Sequence, residues 1–230
     1  MSDRLSEIQE VIQKEQNALR ERQHTIKLWN GKKLQYHIQT RSQTLELDLS
    51  EYVPLEFRDL PLEVEIGPGK GEFLATRAKQ FPDRYFLGID RRLDRVQLTE
   101  KKLKRNDHLN WQIIREDACS FSIEKLPKID VLHLYQPDPW PKFKHHKHRF
   151  FRSPEAEAFA LNIKKGGELR VSTDHIAYFY EMLERIKTWE CFTPSLIIEK
   201  KSFMSPALSH FEGLFLKKNE PVFKAHFVRR

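Results

Sequence analysis

The chain has 230 residues, with 40 Lys plus Arg against 33 Asp plus Glu and a formal net charge of +7, which is enough length for one sizeable core. At 39% hydrophobic and 32% charged, with 16 Phe and 4 Trp, it is too apolar for a disordered chain and too interrupted for a fibrous one. Two distant cysteines, Cys119 and Cys191, argue against a disulfide framework or a zinc site. No stretch approaches the roughly 18 apolar residues of a membrane span. The opening Met1-Ser2-Asp3-Arg4 lacks the layout of a secretory signal, so a cytoplasmic protein is expected.

Leu5, Ile8, Ile12 and Leu19 recur at helical spacing, so residues 3–23 read as an amphipathic helix with a narrow apolar stripe. Arg22, Lys27, Lys32, Lys33 and Arg41 follow with no acid between residues 22 and 45. Residues 1–59 therefore read as an N-terminal helix and basic arm. Two further basic stretches, residues 142–152 and the tail 217–230, carry interleaved aromatic and His residues. That pattern suits a polyanion, with nucleic acid as the leading partner.

From residue 60 to 230 short apolar runs alternate with amphipathic stretches, the rhythm of a parallel sheet covered by helices. The runs are Leu62 to Ile66, Tyr85 to Ile89, Trp111 to Arg115, Val131 to Tyr135 and Glu168 to Ser172. Ser153-Pro154-Glu155 supplies an N-cap, a first-turn proline and a first-turn acid, and Gly166-Gly167 is expected to end that helix. The next helix is expected to open at Asp174. The alternation Phe223, Ala225, Phe227 predicts a closing strand with one buried face.

The first run leads into Glu65-Ile66-Gly67-Pro68-Gly69-Lys70-Gly71, a strand-to-helix turn whose glycines let backbone approach a ligand at a helix N-terminus. A dinucleotide fingerprint requires glycine where Glu72 stands, so a nicotinamide oxidoreductase fails on spacing. Asp90 ends the second run, 23 residues after Gly67, at the separation where an acid can accept hydrogen bonds from ribose hydroxyls. Asp117 follows the third run, so Glu65, Asp90 and Asp117 are expected along the sheet's C-terminal edge. The fourth run leads into Pro137-Asp138-Pro139-Trp140-Pro141-Lys142, a stiff loop that fixes its side chains before a substrate arrives. The histidines behind it, His145, His146 and His148, sit among cations that disfavour a metal, so a phosphate-contacting loop is expected instead.

These motifs closely resemble the bacterial tRNA (guanine-N7-)-methyltransferase family over about residues 60–215. The distinctive element is Pro137-Asp138-Pro139-Trp140-Pro141-Lys142 followed by His146 and Arg149. The resemblance implies a Rossmann-like class I methyltransferase fold, α/β, with a mostly parallel central sheet, an antiparallel last strand and helices on both faces. It implies transfer of a methyl group from S-adenosylmethionine to guanine N7 at position 46 in the tRNA variable loop. Family cofactor contacts carry over to Glu65, Asp90, Asp117 and Asp138, beside the glycines Gly67, Gly69 and Gly71. Family tRNA contacts carry over to Lys142, Asp174, Ser209, His210, Phe211 and Glu212; Ser209 and His210 stand where the family pattern has Thr and Lys.

Guanine N7 carries a lone pair and no proton, so it can attack a sulfonium methyl without prior deprotonation. Asp138 is accordingly expected to position the base and favour its developing positive charge, with proton transfer the lesser role. Two alternatives stay open: a class I methyltransferase acting on another RNA atom or on protein, and a non-catalytic RNA-binding protein on the same scaffold.

Overall fold

The computed structural model describes residues 38–40, 43–45, 52–105, 109–198 and 221–230. The chain divides into two compact units, Met1–Leu49 and Ser50–Arg230. In the first, β1 (Ile38–Thr40) pairs antiparallel with β2 (Gln43–Leu45); the helix expected over residues 3–23 lies outside the described residues.

The second unit runs β3 (Leu62–Ile66), α1 (Glu72–Gln80), β4 (Tyr85–Asp90), α2 (Leu93–Leu103), β5 (Trp111–Arg115), β6 (Ile129–Tyr135), α3 (Pro154–Asn162), β7 (Ile163–Thr173), α4 (Ile176–Thr188), β8 (Phe192–Ile198) and β9 (Phe223–Arg229). Its sheet has the order β5-β4-β3-β6-β7-β9-β8. Strands β3 to β7 pair in parallel, and β9 lies antiparallel to both β7 and β8. The chain builds outward from β3 through β4 to β5 and then returns to place β6 on the other side of β3. That reversal opens a crevice at the C-terminal ends of β3 and β6, where open α/β sheets bind ligands.

Packing follows from which face each strand residue takes. Val64, Leu87, Leu132, Leu134, Leu169 and Val171 pack with Ala156, Phe159 and Ala160 of α3 and Tyr178, Phe179, Met182 and Ile186 of α4. On the opposite face Phe86 meets Leu74 and Ala78 of α1 and Leu103 of α2. Tyr52 and Val53 belong to the larger core, so the unit that contains the sheet also takes in residues 50–59.

Three local expectations are corrected. Helix α3 ends at Asn162, ahead of the glycine pair. Gly166 (φ +78°) and Gly167 lie within β7, whose register against β6 shifts between Ile129 and Val131. A Cβ on Gly167 would lie 2.8 Å from the Asp130 carbonyl oxygen, so the pair permits a bulge and close strand approach. Helix α4 opens at Ile176, one residue after its cap: His175 Nδ1 accepts from the Tyr178 N–H at 3.2 Å. In β9, Phe223, Ala225 and Phe227 are buried as expected, but Lys224 on the opposite face is buried too, so that face is covered at this position.

Candidate active site

The glycine turn leaves β3 and enters α1 with Gly67, Gly69 and Gly71 all at positive φ, a conformation that costs an L side chain energy. A Cβ on Gly71 would fall 2.8 Å from the Thr99 Cα in α2, whereas one on Gly67 would meet nothing within 4 Å. Gly71 therefore serves the packing of α1 on α2. Gly67 and Gly69 instead line a cavity of about 280 Å³ at the strand ends.

The same cavity is lined by Asp90, Asp117 and Asp138, with Arg92, Tyr135, Gln136, Trp140 and His148 around them. Asp90 Oδ1 accepts from the Arg92 N–H at 2.9 Å. Its carboxylate also accepts from the Gly69 N–H, and partial burial raises its pKa. Asp117 Oδ1 caps a short turn by accepting from the Cys119 N–H at 3.0 Å. Asp138 is exposed at the rim.

Glu65 lies behind the cavity, 2% exposed. Its carboxylate accepts from the Leu74 N–H in the first turn of α1, a favourable place for an acid, but Oε2 has no hydrogen-bond partner among the described residues. Burial first, and the charge of Asp90 second, push its pKa up to about 8. A buried acid with one unsatisfied oxygen beside a ligand-sized cavity suits a ligand with a cationic or hydrogen-bond-donating group.

The loop bearing Asp138 is tied at both ends. The Gln136 N–H donates to the Ser172 carbonyl at 2.9 Å, and the Gln136 Oε1 accepts from the Asp174 N–H at 2.9 Å. Arg149, 3% exposed, donates through Nε to the Pro139 carbonyl at 2.8 Å, pairs with Glu181 of α4 and lies 4.7 Å from the Tyr178 ring centroid. Gln136 and Trp140 take φ of 51° and 43°. Such strain in non-glycine residues persists only where the surroundings fix it.

A buried network supports the floor. Glu63 receives Arg77 at 2.7 Å, Arg84 at 2.9 Å and His133 Nε2 at 2.8 Å, and His133 Nδ1 meets the Tyr135 hydroxyl at 2.9 Å. Burial alone would raise the Glu63 pKa, but the hydrogen bonds and charges of His133 and Arg77 outweigh it and bring it to about 2. Burial holds His133 below its ordinary value. With Glu63 ionised and His133 neutral, Nε2 carries the proton and Nδ1 accepts from Tyr135.

Of the residues singled out in the sequence, Gly67, Gly69, Asp90, Asp117 and Asp138 come together in the cavity lining. Glu65 and Gly71 stand behind that lining, and Lys142 is exposed beyond it. Asp174 is exposed and joins the site through Gln136. Ser209, His210, Phe211 and Glu212 lie outside the described residues. Arg92, Tyr135, Gln136 and His148 also line the cavity; the only signal of this in the sequence is their nearness to Asp90 and to the proline-rich loop.

Residues 59–225 match the family described as "Putative methyltransferase". The chain is 43% identical over 122 residues to a tRNA (guanine-N(7)-)-methyltransferase of Zymomonas mobilis, covering 52% of each chain. It is 33% identical over 179 residues to the protein of that name from Dechloromonas aromatica, covering 75% of this chain and 71% of the relative. The matches span about half the length of the first of these relatives. In fold it is similar to an rRNA methylase from Streptococcus thermophilus, with a TM-score of 0.51 at 14% identity over 74% of this chain and 87% of that one.

Proposed function

The chain belongs to the tRNA (guanine-N(7)-)-methyltransferase family, and from that premise we propose that it methylates guanine N7 in tRNA, at position 46 of the variable loop, with S-adenosylmethionine as donor. The observation that carries this reading is the convergence of the glycine turn, Asp90 and the braced Asp138 loop on one cavity. When bound, the cofactor supplies an electrophilic methyl group on a sulfonium. Gly67 and Gly69 would shape its bed, with Gly71 holding α1 close behind them, Asp90 would accept from its ribose hydroxyls, and Asp117 would approach its base. Glu65, with its unsatisfied oxygen, would answer its cationic end.

The protein's task is placement. Because N7 already presents a lone pair, aligning it with the methyl carbon and sulfur can contribute roughly 7–11 kcal/mol toward the barrier. Asp138, held between two prolines, would accept from the guanine Watson–Crick edge and favour the positive charge that develops on the purine. Lys142 ends the same loop, where it would contact phosphate, and Asp174 is tied to the start of that loop through Gln136. The segment Ser209 to Glu212 is proposed as a further tRNA contact.

Nucleoside mass spectrometry of tRNA incubated with the protein and S-adenosylmethionine tests the proposal. It should show 7-methylguanosine, located at position 46 by fragment mapping. Another methylated nucleoside, or none, would overturn it. Asp138→Ala should depress kcat at saturating tRNA, whereas Lys142→Ala should raise KM for tRNA; normal kcat in the former would remove Asp138 from the reacting centre.

A further inference from the structure

The short helical turn Phe143–His148 follows the proline-rich loop, and Phe143 at its start is 85% exposed. Isolated apolar residues on a surface are ordinary, and Leu55 and Leu109 are examples here. Phe143 differs in its surroundings. Lys142, Lys144 and Lys147 beside it are exposed and make no ion pair among the described residues. Its ring meets the edge of His146 at 5.4 Å. His146 Nε2 is in turn 3.0 Å from Arg149 Nη2, the guanidinium that also holds the Pro139 carbonyl. The turn continues to His148, whose ring packs 5.2 Å from Trp140 at the cavity. An aromatic face is thus held out to solvent on a braced turn, among unopposed cations, next to the cavity that bears Asp138.

That combination has a specific chemistry. Unpaired nucleobases stack on exposed aromatic rings while neighbouring lysines take the phosphates, and bracing the ring beforehand lowers the ordering cost of binding. We infer that Phe143 is a stacking platform for an unpaired RNA base adjoining the methylated nucleotide, which rests on the reading of the protein as an RNA methyltransferase. The platform holds the strand open where the target guanine must leave its stack. Its contribution is independent of charge, so it separates from the lysine contacts by salt dependence.

Affinities of the full chain for an unmodified tRNA transcript, an oligouridylate and a blunt RNA duplex, each measured across a salt series, test this. Phe143→Ala should weaken tRNA and oligouridylate binding at least about fivefold with an unchanged salt slope and unchanged S-adenosylmethionine affinity. The duplex, which offers no unpaired base, should lose less than twofold. Phe143→Tyr should restore binding and Phe143→Leu should not, while Lys144→Ala should flatten the salt slope. Binding of Phe143→Ala within twofold of the unaltered chain, rescue by leucine, or equal losses on duplex and single strand would overturn the inference. Absence of 7-methylguanosine would instead overturn the functional reading, since the oligouridylate comparison needs no turnover.

Discussion

Glu63 and Glu65 stand two residues apart on β3, so their side chains leave the same face of the sheet, and both are buried. Glu63 meets two guanidinium groups and an imidazole, and its pKa falls to about 2. Glu65 meets only one backbone N–H, and burial first and the repulsion of Asp90 second raise its pKa to about 8. The two therefore oppose each other in pH dependence. Glu63 contributes stability that is present above its unfolded value of 4.5 and lost as pH falls toward 2. Glu65 binds a proton in the folded chain between 4.5 and 8 that the unfolded chain has released, so its effect lowers stability as pH rises through that window. Glu65→Gln removes this titration and keeps an acceptor for the Leu74 N–H. Its thermal midpoint relative to the unaltered chain should thus climb between pH 5.5 and pH 8.5. A difference that stays constant across that range would show that Glu65 is already ionised at neutral pH. At the cavity, Asp90→Ala should weaken S-adenosylmethionine binding more than tenfold, the scale of one charged hydrogen bond of about 1.5–3 kcal/mol; unchanged calorimetric affinity with an intact fold would remove the ribose contact.

The elements that were legible in the sequence are those whose signal is local. β3 and β5 fall where their apolar runs stand, and Ser153 caps α3, accepting from the Ala156 N–H with Pro154 in the first turn. What escaped depends on partners distant in sequence. β8, Phe192–Ile198, is interrupted by Thr193, Pro194 and Ser195, and among the described residues it pairs only with β9, across a register shift between Pro194 and Leu196. The glycine pair of β7 resembles a helix stop until the Asp130 carbonyl is known to press on it. The site shows the same division: the glycines and acids announce themselves by spacing, whereas the brace by Arg149 joins a loop to α4 across 32 residues. That brace predicts a distinctive variant. Arg149→Lys keeps the charge but loses the planar fork, which should lower stability by about 1.5–3 kcal/mol and reduce kcat by up to about 100-fold as the Asp138 loop shifts. Cofactor affinity should hold, because neither Gly67 nor Asp90 touches the brace. A parallel loss of cofactor affinity and kcat would mean that the whole cavity had collapsed instead.

At the scale of the whole molecule, charge and the proposed cofactor site are divided between the two units along the sequence. The proposed cofactor residues all belong to Ser50–Arg230, while the acid-free run Arg22, Lys27, Lys32, Lys33 and Arg41 belongs to Met1–Leu49. A basic arm of this kind gains sequence-independent phosphate contacts, whose strength falls with salt as counterions return to the RNA. Deleting residues 1–45 spares Tyr52 and Val53, which are core residues of the larger unit. The truncated chain should bind S-adenosylmethionine within about twofold of the full chain. It should also bind every RNA more weakly, most visibly at low salt, and the slope of log affinity against log salt should shrink by up to about 4.5, roughly 0.9 for each of the five cations that would otherwise neutralise a phosphate. The competing physical account is that Leu5, Ile8, Ile12 and Leu19 form an apolar stripe that packs against other parts of the chain. Removal would then expose apolar surface, and the thermal midpoint and cofactor affinity would fall together with no change in salt slope. Scanning calorimetry alongside titration of cofactor and RNA separates the two, since one account is electrostatic and confined to RNA and the other is neither.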